Sequence, residues 1–142
     1  MHALLDVNVL LALFDAEHVH HAKALAWWSE HRSDGWASCP LTQNGFVRIM
    51  SNPGYARPLA FAEAMVLLRA QVMQPGHVFW PDDISLADEV YFDHERMRGP
   101  NQITDAYLLA LAVKNGGRLV TFDRAFPVAA VCGAEPRHLA VI

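Results

Sequence analysis

The chain predicts an α/β fold of three layers, α/β/α, built on a short and mostly parallel sheet. Three observations predict it. Five apolar runs too short for helices alternate with longer stretches of helical period, which is the pattern of parallel strands joined by crossover helices. Turn-forming residues separate nearly every pair of runs. Apolar residues make up 53% of the 142 residues and charged ones 18%, enough to bury a core without staples and the reverse of a disordered balance. No repeat, low-complexity tract or linker divides the chain, so residues 1–142 are expected to form one domain.

Ala3 to Leu5 is apolar up to Asp6, and Val7 to Phe14 continues apolar, giving a strand and a helix with Asp6 at the junction. Asp15 to Val19 breaks the pattern. Ala22, Leu25, Ala26 and Ser29 then recur at helical spacing through Arg32, and Ser33-Asp34-Gly35 ends that helix. Trp36 to Cys39 is a second strand, closed by Pro40, which suits the first turn of a following helix. Leu41 to Met50 reads as helical despite Gly45, whose cost of about 1 kcal/mol relative to alanine points to a packing reason. Ser51-Asn52-Pro53-Gly54 stops it. Leu59 to Met73 is helical and ends before Pro75-Gly76. His77 to Trp80 is a brief strand, and Ser85 to Arg96 is predicted as a helix capped by Ser85, with Glu89 near capping-box spacing. Beyond Gly99-Pro100, Gln102 to Asn115 is apolar nearly all round and is expected to be buried, with Gly116-Gly117 as its stop. Leu119 to Phe122 is a strand delivering Asp123, and His138 to Ile142 is the last.

Several classes are disfavoured. Cys39 and Cys132 stand far apart with no metal-type spacing, so a disulfide framework or zinc site has little support. The longest apolar run, Ala106 to Val113, is far below the roughly 20 residues of a membrane span, and no secretory leader pattern opens the chain, so a soluble cytoplasmic protein is expected. A net charge of −4 argues against a globally basic nucleic-acid binder. Nine of the eleven cations are nevertheless arginines, the better forks for phosphate.

Two strands end in aspartates, Asp6 and Asp123, and parallel strands deliver such ends to one edge of a sheet. Asp105 opens the buried helix leading into the second of those strands, so it falls at the same edge. Carboxylates gathered in one place repel, and protonation, basic partners or a divalent cation relieve that. Magnesium or manganese suits hard oxygen donors, and such a centre supports phosphodiester hydrolysis by polarising a phosphoryl oxygen and activating water. Each aspartate taken alone is equally at home as a helix cap or turn residue.

Leu4-Leu5-Asp6-Val7-Asn8-Val9-Leu10, Thr104-Asp105-Ala106-Tyr107-Leu108-Leu109-Ala110-Leu111-Ala112 and Leu119-Val120-Thr121-Phe122-Asp123, in that order, resemble the PIN-domain ribonucleases, specifically the VapC-type toxins of prokaryotic toxin–antitoxin pairs. Gly99-Pro100-Asn101-Gln102-Ile103 and the Leu41 to Arg48 segment resemble one subgroup of them. The resemblance implies a Mg²⁺- or Mn²⁺-dependent endoribonuclease with acidic ligands, a homodimer held inactive by a cognate VapB-type antitoxin. It places Asp6, Asp105 and Asp123 at three of the family's acidic positions. At the fourth, where glutamate is common, stands Asn44, which has one less charge and offers a neutral oxygen.

Asn8 is placed to cap the first helix or to orient Asp6. Thr121 is placed to hydrogen-bond metal-bound water or substrate phosphate, or is simply a strand threonine. Arg48 and Arg124 are the candidates for contacts to RNA phosphates, with Arg96 and Arg98 behind them. His18, His20 and His21 suggest zinc only superficially, since adjacent helical positions do not face one another. Trp27-Trp28 and the apolar face of Leu59 to Met73 read as core, or as a surface for the antitoxin or a second protomer, ahead of base-stacking platforms. Two rivals compete with the nuclease: a catalytically weak module that binds antitoxin or RNA, motivated by Asn44, and a phosphatase with Asp6 as nucleophile, which lacks the usual second acid at Asn8.

Overall fold

The computed structural model describes residues 1–142. Five strands, β1 (Ala3–Leu5), β2 (Trp36–Ser38), β3 (His77–Phe79), β4 (Arg118–Thr121) and β5 (Leu139–Val141), form one sheet in the order β3-β2-β1-β4-β5. Every neighbouring pair is parallel, with Leu4 opposite Ala37 on one side and Leu119 on the other. Five α-helices connect and cover them: α1 (Val7–Phe14), α2 (His21–His31), α3 (Pro40–Met50), α4 (Phe61–Val72) and α5 (Ile103–Lys114).

The pleat sorts the core into two halves, because successive strand residues point to opposite faces. Leu4, Ala37 and Leu119 face α5, whose Ala106 and Leu108 to Ala112 are buried there with Phe92 and Val131. Ala3, Leu5, Trp36 and Val120 face the other way, against Val9 to Leu11 of α1, Phe46, Val47 and Met50 of α3, and Ala64 and Leu68 of α4. This is the three-layer arrangement, and burial of the central strands on both faces explains why they read as continuous apolar runs. The all-round apolar pattern of α5 likewise reflects a helix wedged between the sheet and the chain after β3. Its C-terminus is closed by Gly116 at a φ of 64°, the left-handed position that glycine occupies without penalty.

The tryptophan pair belongs to the packing. Trp28 meets Trp36 edge-on at 6.4 Å, and Trp27 stacks on His31 at 4.4 Å with the Arg118 guanidinium 5.5 Å from its ring centroid. Only Ala24 of α2 is fully buried, so the helix lies as a lid on the outer layer.

The helix predicted over Ser85 to Arg96 does not form. The segment is a chain of turns ending in a short 3₁₀ turn, His94–Arg96. The Ser85 hydroxyl accepts from the Ala87 amide at 3.2 Å and the Asp88 carboxylate from the Val90 amide at 2.9 Å, local bonds that satisfy the backbone in a non-helical form. Phe92 then pairs with Val131 as an isolated antiparallel bridge that sinks its ring into the core. No helix of the chain is long and apolar enough to cross a membrane.

Candidate active site at the carboxyl edge of the sheet

In this strand order the chain departs from the central strand β1 toward α1 on one face, and reaches its neighbour β4 from α5 on the other. The crevice outside the carboxyl ends of β1 and β4 is therefore the topological switch point, where open α/β sheets bind ligands. Asp6 and Asp123 follow those two strands, and Asp105 lies in the first turn of α5.

Asp6 is clamped. Its Oδ1 accepts from the Val7 amide at 2.7 Å as the N-cap of α1, and its Oδ2 accepts from the Thr121 hydroxyl at 2.7 Å. Thr121 is fully buried, and its oxygen also accepts from Asn8 Nδ2 at 3.2 Å and from the Asp123 amide at 3.1 Å. Asn8 Oδ1 in turn accepts from the Phe122 amide at 3.4 Å. Asp6, and not Asn8, caps α1; Asn8 reaches across to β4 and braces the threonine that holds Asp6. Asp123 turns the chain, its Oδ1 accepting from the Ala125 amide at 2.9 Å.

These groups feel one another. Burial pushes the Asp6 carboxyl above its ordinary range, hydrogen bonds from Thr121 and Val7 pull it back, and the charge of Asp123 pushes it up again. Asp105 is half-buried, and burial, then the charges of Asp6 and Asp123, raise its carboxyl to about 6. No hydrogen bond supports its charged form. Such a group is stabilised by an incoming cation. No trio of His, Cys, Asp or Glu side chains closes into a ready-made cage. The donors fit a hard cation such as Mg²⁺, which takes one or two carboxylates and keeps several of its waters, better than zinc or another ion that needs a full set of protein ligands.

Asn44 and Arg48 are exposed on α3, along a groove shared with Phe61 and Met65 of α4. Neither is hydrogen-bonded to the carboxylates. Gly45 brings α3 against α1 at Val7, the residue after Asp6: a Cβ on Gly45 would stand 2.6 Å from Val7 Cγ2. Arg124 is exposed and lines a separate hollow with Lys23, Val141 and Ile142. The structure thus joins Asp6, Thr121 and Asp123 directly and Asp105 through its field, and leaves Asn44, Arg48 and Arg124 around them. Of the two roles its position allowed, Asn8 takes the second, orienting Asp6 through Thr121, while the cap falls to Asp6 itself.

The three histidines are engaged separately. His21 Nδ1 donates to the Ala12 carbonyl at 2.7 Å, His18 Nδ1 accepts from the His20 amide at 3.0 Å, and the His20 ring packs on Phe122 at 4.9 Å between centroids.

Comparison with known proteins agrees with this architecture. The PIN domain family matches residues 3–131. The chain is 50% identical to Ribonuclease VapC44 of Mycobacterium tuberculosis over 142 residues, covering 100% of both chains. It is 45% identical to Ribonuclease VapC39 of the same organism, covering 94% of this chain and 96% of that one. Among solved structures, the crystal structure of M. tuberculosis VapC20, described as a sarcin–ricin loop cleaving toxin, superposes with a TM-score of 0.61 at 14% identity, covering 94% of this chain and 99% of the other. VapBC2 from Rickettsia felis, bound to a DNA fragment from its promoter, gives 0.57 at 12% identity, covering 88% and 90%. The last two show the fold; the first two show the kinship. The chain belongs to the PIN-domain family and, within it, to the VapC ribonucleases.

Proposed function

We propose that this chain is an endoribonuclease that depends on Mg²⁺ or Mn²⁺, and the toxin of a toxin–antitoxin pair. The observation that supports the reading is that Asp6 and Asp123 follow adjacent strands at the switch point with Asp105 in the field of both, Asp6 and Asp105 having raised carboxyl pKa values and Asp6 being clamped by a buried threonine. Identity of 50% to a full-length relative named a ribonuclease supports it.

Asp6, Asp105 and Asp123 would hold the cation, with water completing its shell in place of a ready-made cage. When bound, it supplies Lewis-acid stabilisation of the phosphoryl group and lowers the pKa of water. Thr121 fixes the Asp6 carboxylate in one orientation, and Asn8 fixes Thr121. Asn44 contributes a neutral oxygen at the rim, and Arg48 and Arg124 are donors for the phosphates flanking the cleaved bond. Unstacked bases of single-stranded or looped RNA would reach this open edge, which a paired helix would not. A VapB-type antitoxin is the expected protein partner, in line with the VapBC2 assembly of R. felis, and a homodimer is the expected active form.

Purified, antitoxin-free protein incubated with structured RNAs and Mg²⁺ or Mn²⁺ should cleave them, and chelation should stop it. Asp6→Asn and Asp105→Asn should each lower the rate by more than about 100-fold, beyond the loss typical of a group that merely supports a ligand. Cleavage that persists unchanged in both variants would sink the assignment. The neutral Asn44 favours one second reading, a PIN fold kept as an interaction module. Protein that cleaves no RNA under any metal yet still binds an antitoxin would establish it.

A further inference from the structure

The seam between α2 and the segment after β4 carries His20, Lys23 and Phe122 close to Arg124, and of these only Arg124 has a part in the site described above. His20, the residue before α2, is exposed and packs its ring on Phe122 with 4.9 Å between centroids and 33° between planes. Lys23, three positions on and so one helical turn away on the same side of α2, lines a surface hollow with Arg124, two positions beyond Phe122. The floor is made by Val141 and Ile142 at the end of β5.

Arg57, Lys114 and Arg118 are each held by a carboxylate, whereas Lys23 and Arg124 have no acidic partner. Two unpaired cations facing one hollow, on a chain of net charge −4, leave a local positive site that an anion would satisfy. The His20 ring beside them is backed by Phe122 and neighboured by the His18 ring at 5.8 Å between centroids, and the residue as a whole is exposed. A cationic track beside an aromatic platform is the arrangement that binds single-stranded nucleic acid, with phosphate on the cations and a base on the ring. The hollow is linked to the carboxylates along the chain: Arg124, which lines it, follows Asp123, and Phe122 just before donates to Asn8, which donates to the threonine that clamps Asp6.

We infer that the RNA strand runs from the carboxylates toward α2, with a phosphate held between Lys23 and Arg124 and a neighbouring base stacked on His20, which Phe122 supports. This rests on the ribonuclease reading and names the path of its substrate, with Lys23 and His20 as substrate-binding residues and Phe122 as a positioning residue.

The test is binding of a labelled, unstructured 12-nucleotide RNA to the full chain in EDTA, alongside KM and kcat for cleavage of the same RNA in Mg²⁺. Lys23→Ala with Arg124→Ala should raise KM and Kd at least about tenfold and flatten the salt dependence of binding by one to two counterions. His20→Ala should cost about fivefold or more, and His20→Trp, which keeps a stacking surface, should restore it. In His20→Ala, and in Lys23→Ala alone, kcat stays close to wild type. Arg69→Ala, which removes an exposed cation from α4, should change neither constant by more than about twofold. Wild-type constants in the Lys23 and Arg124 variant, or an equal loss in Arg69→Ala, would overturn the proposed path while leaving the nuclease intact. Tight binding of a poly-glutamate peptide in place of RNA would overturn it in favour of a protein partner. Absence of any cleavage by the wild-type chain would instead remove the reading on which the path depends.

Discussion

At the scale of single residues, the hydroxyl of Thr121 carries more than its size suggests. It donates to Asp6 Oδ2 and accepts from Asn8 and from the Asp123 amide, so one buried atom couples both strand-end aspartates. Thr121→Val keeps the shape and removes all three bonds. It should cost about 1–3 kcal/mol of stability in urea denaturation, because buried donors lose their acceptor. Cleavage should fall about 10- to 100-fold, the usual consequence of freeing a ligand from its supporting group, and Thr121→Ser should recover most of it. Full activity in Thr121→Val would mean that Asp6 is oriented by its own amide bond alone. The positions of the three aspartates were readable in sequence because strand ends and helix starts are set by apolar pattern. Which oxygen the Thr121 hydroxyl meets was not readable, since it depends on side-chain rotamers and on β1 lying beside β4. Asn44 shows the same limit: its place on α3 follows from period, but its free, exposed amide does not.

At the scale of elements, the contact of α1 with α3 seats the helix that Asp6 caps. Gly45 is the reason these helices approach so closely, since any side chain there would run into Val7 at 2.6 Å. A glycine inside a helix was legible as a packing signal; its partner was not, because that requires α1 and α3 to share one face of the sheet. Gly45→Ala gains about 1 kcal/mol of helix propensity and loses about 1–3 kcal/mol to overpacking against a stiff β-branched side chain. The variant should therefore be less stable than wild type by about 1 kcal/mol. Val7→Ala in the same chain should relieve the clash, giving a coupling of about 1–2 kcal/mol in a double-mutant cycle read by urea denaturation. Additive single effects would show that the helices separate freely. The Ser85 to Arg96 segment marks where pattern failed. Its serine and aspartate at the start looked like caps, and they do bond to nearby amides, but as the closing bonds of successive turns. What holds the segment is Phe92 paired with Val131, thirty-nine positions away in chain order, a contact no local pattern encodes.

At the scale of the whole molecule, two sets of carboxylates act on stability in opposite directions as pH falls. Asp15 ends α1 and accepts from the Tyr55 hydroxyl at 2.6 Å and from Arg57 Nη2 at 2.6 Å, tying that helix to the loop between α3 and α4. The Arg57 hydrogen bonds, chiefly, hold its carboxyl far below the ordinary carboxylate range. Its folded pKa lies below the unfolded one, so its contribution is complete above about pH 4 and is lost as pH falls further. Asp15→Ala should cost about 2 kcal/mol at pH 7 and make the chain less sensitive to acid below pH 4. Asp105 is the reverse case. Its folded pKa of about 6 exceeds the unfolded value near 4, so the folded state binds more protons between those limits. Stability of the metal-free chain should therefore rise as pH drops from 7 to 5, and fall below 4 as Asp15 is neutralised. A divalent cation competes with the proton for the same carboxylates, which fixes the last prediction. Mg²⁺ or Mn²⁺ at a hundredfold excess over its Kd should add about 2.7 kcal/mol at pH 7, several degrees in Tm, and distinctly less at pH 5, where protonation has already relieved the repulsion. Asp105→Asn should abolish most of the metal-induced shift and also make the metal-free chain more stable at pH 7. A Tm unmoved by either cation, or moved equally at both pH values, would show that the three aspartates do not share a cation.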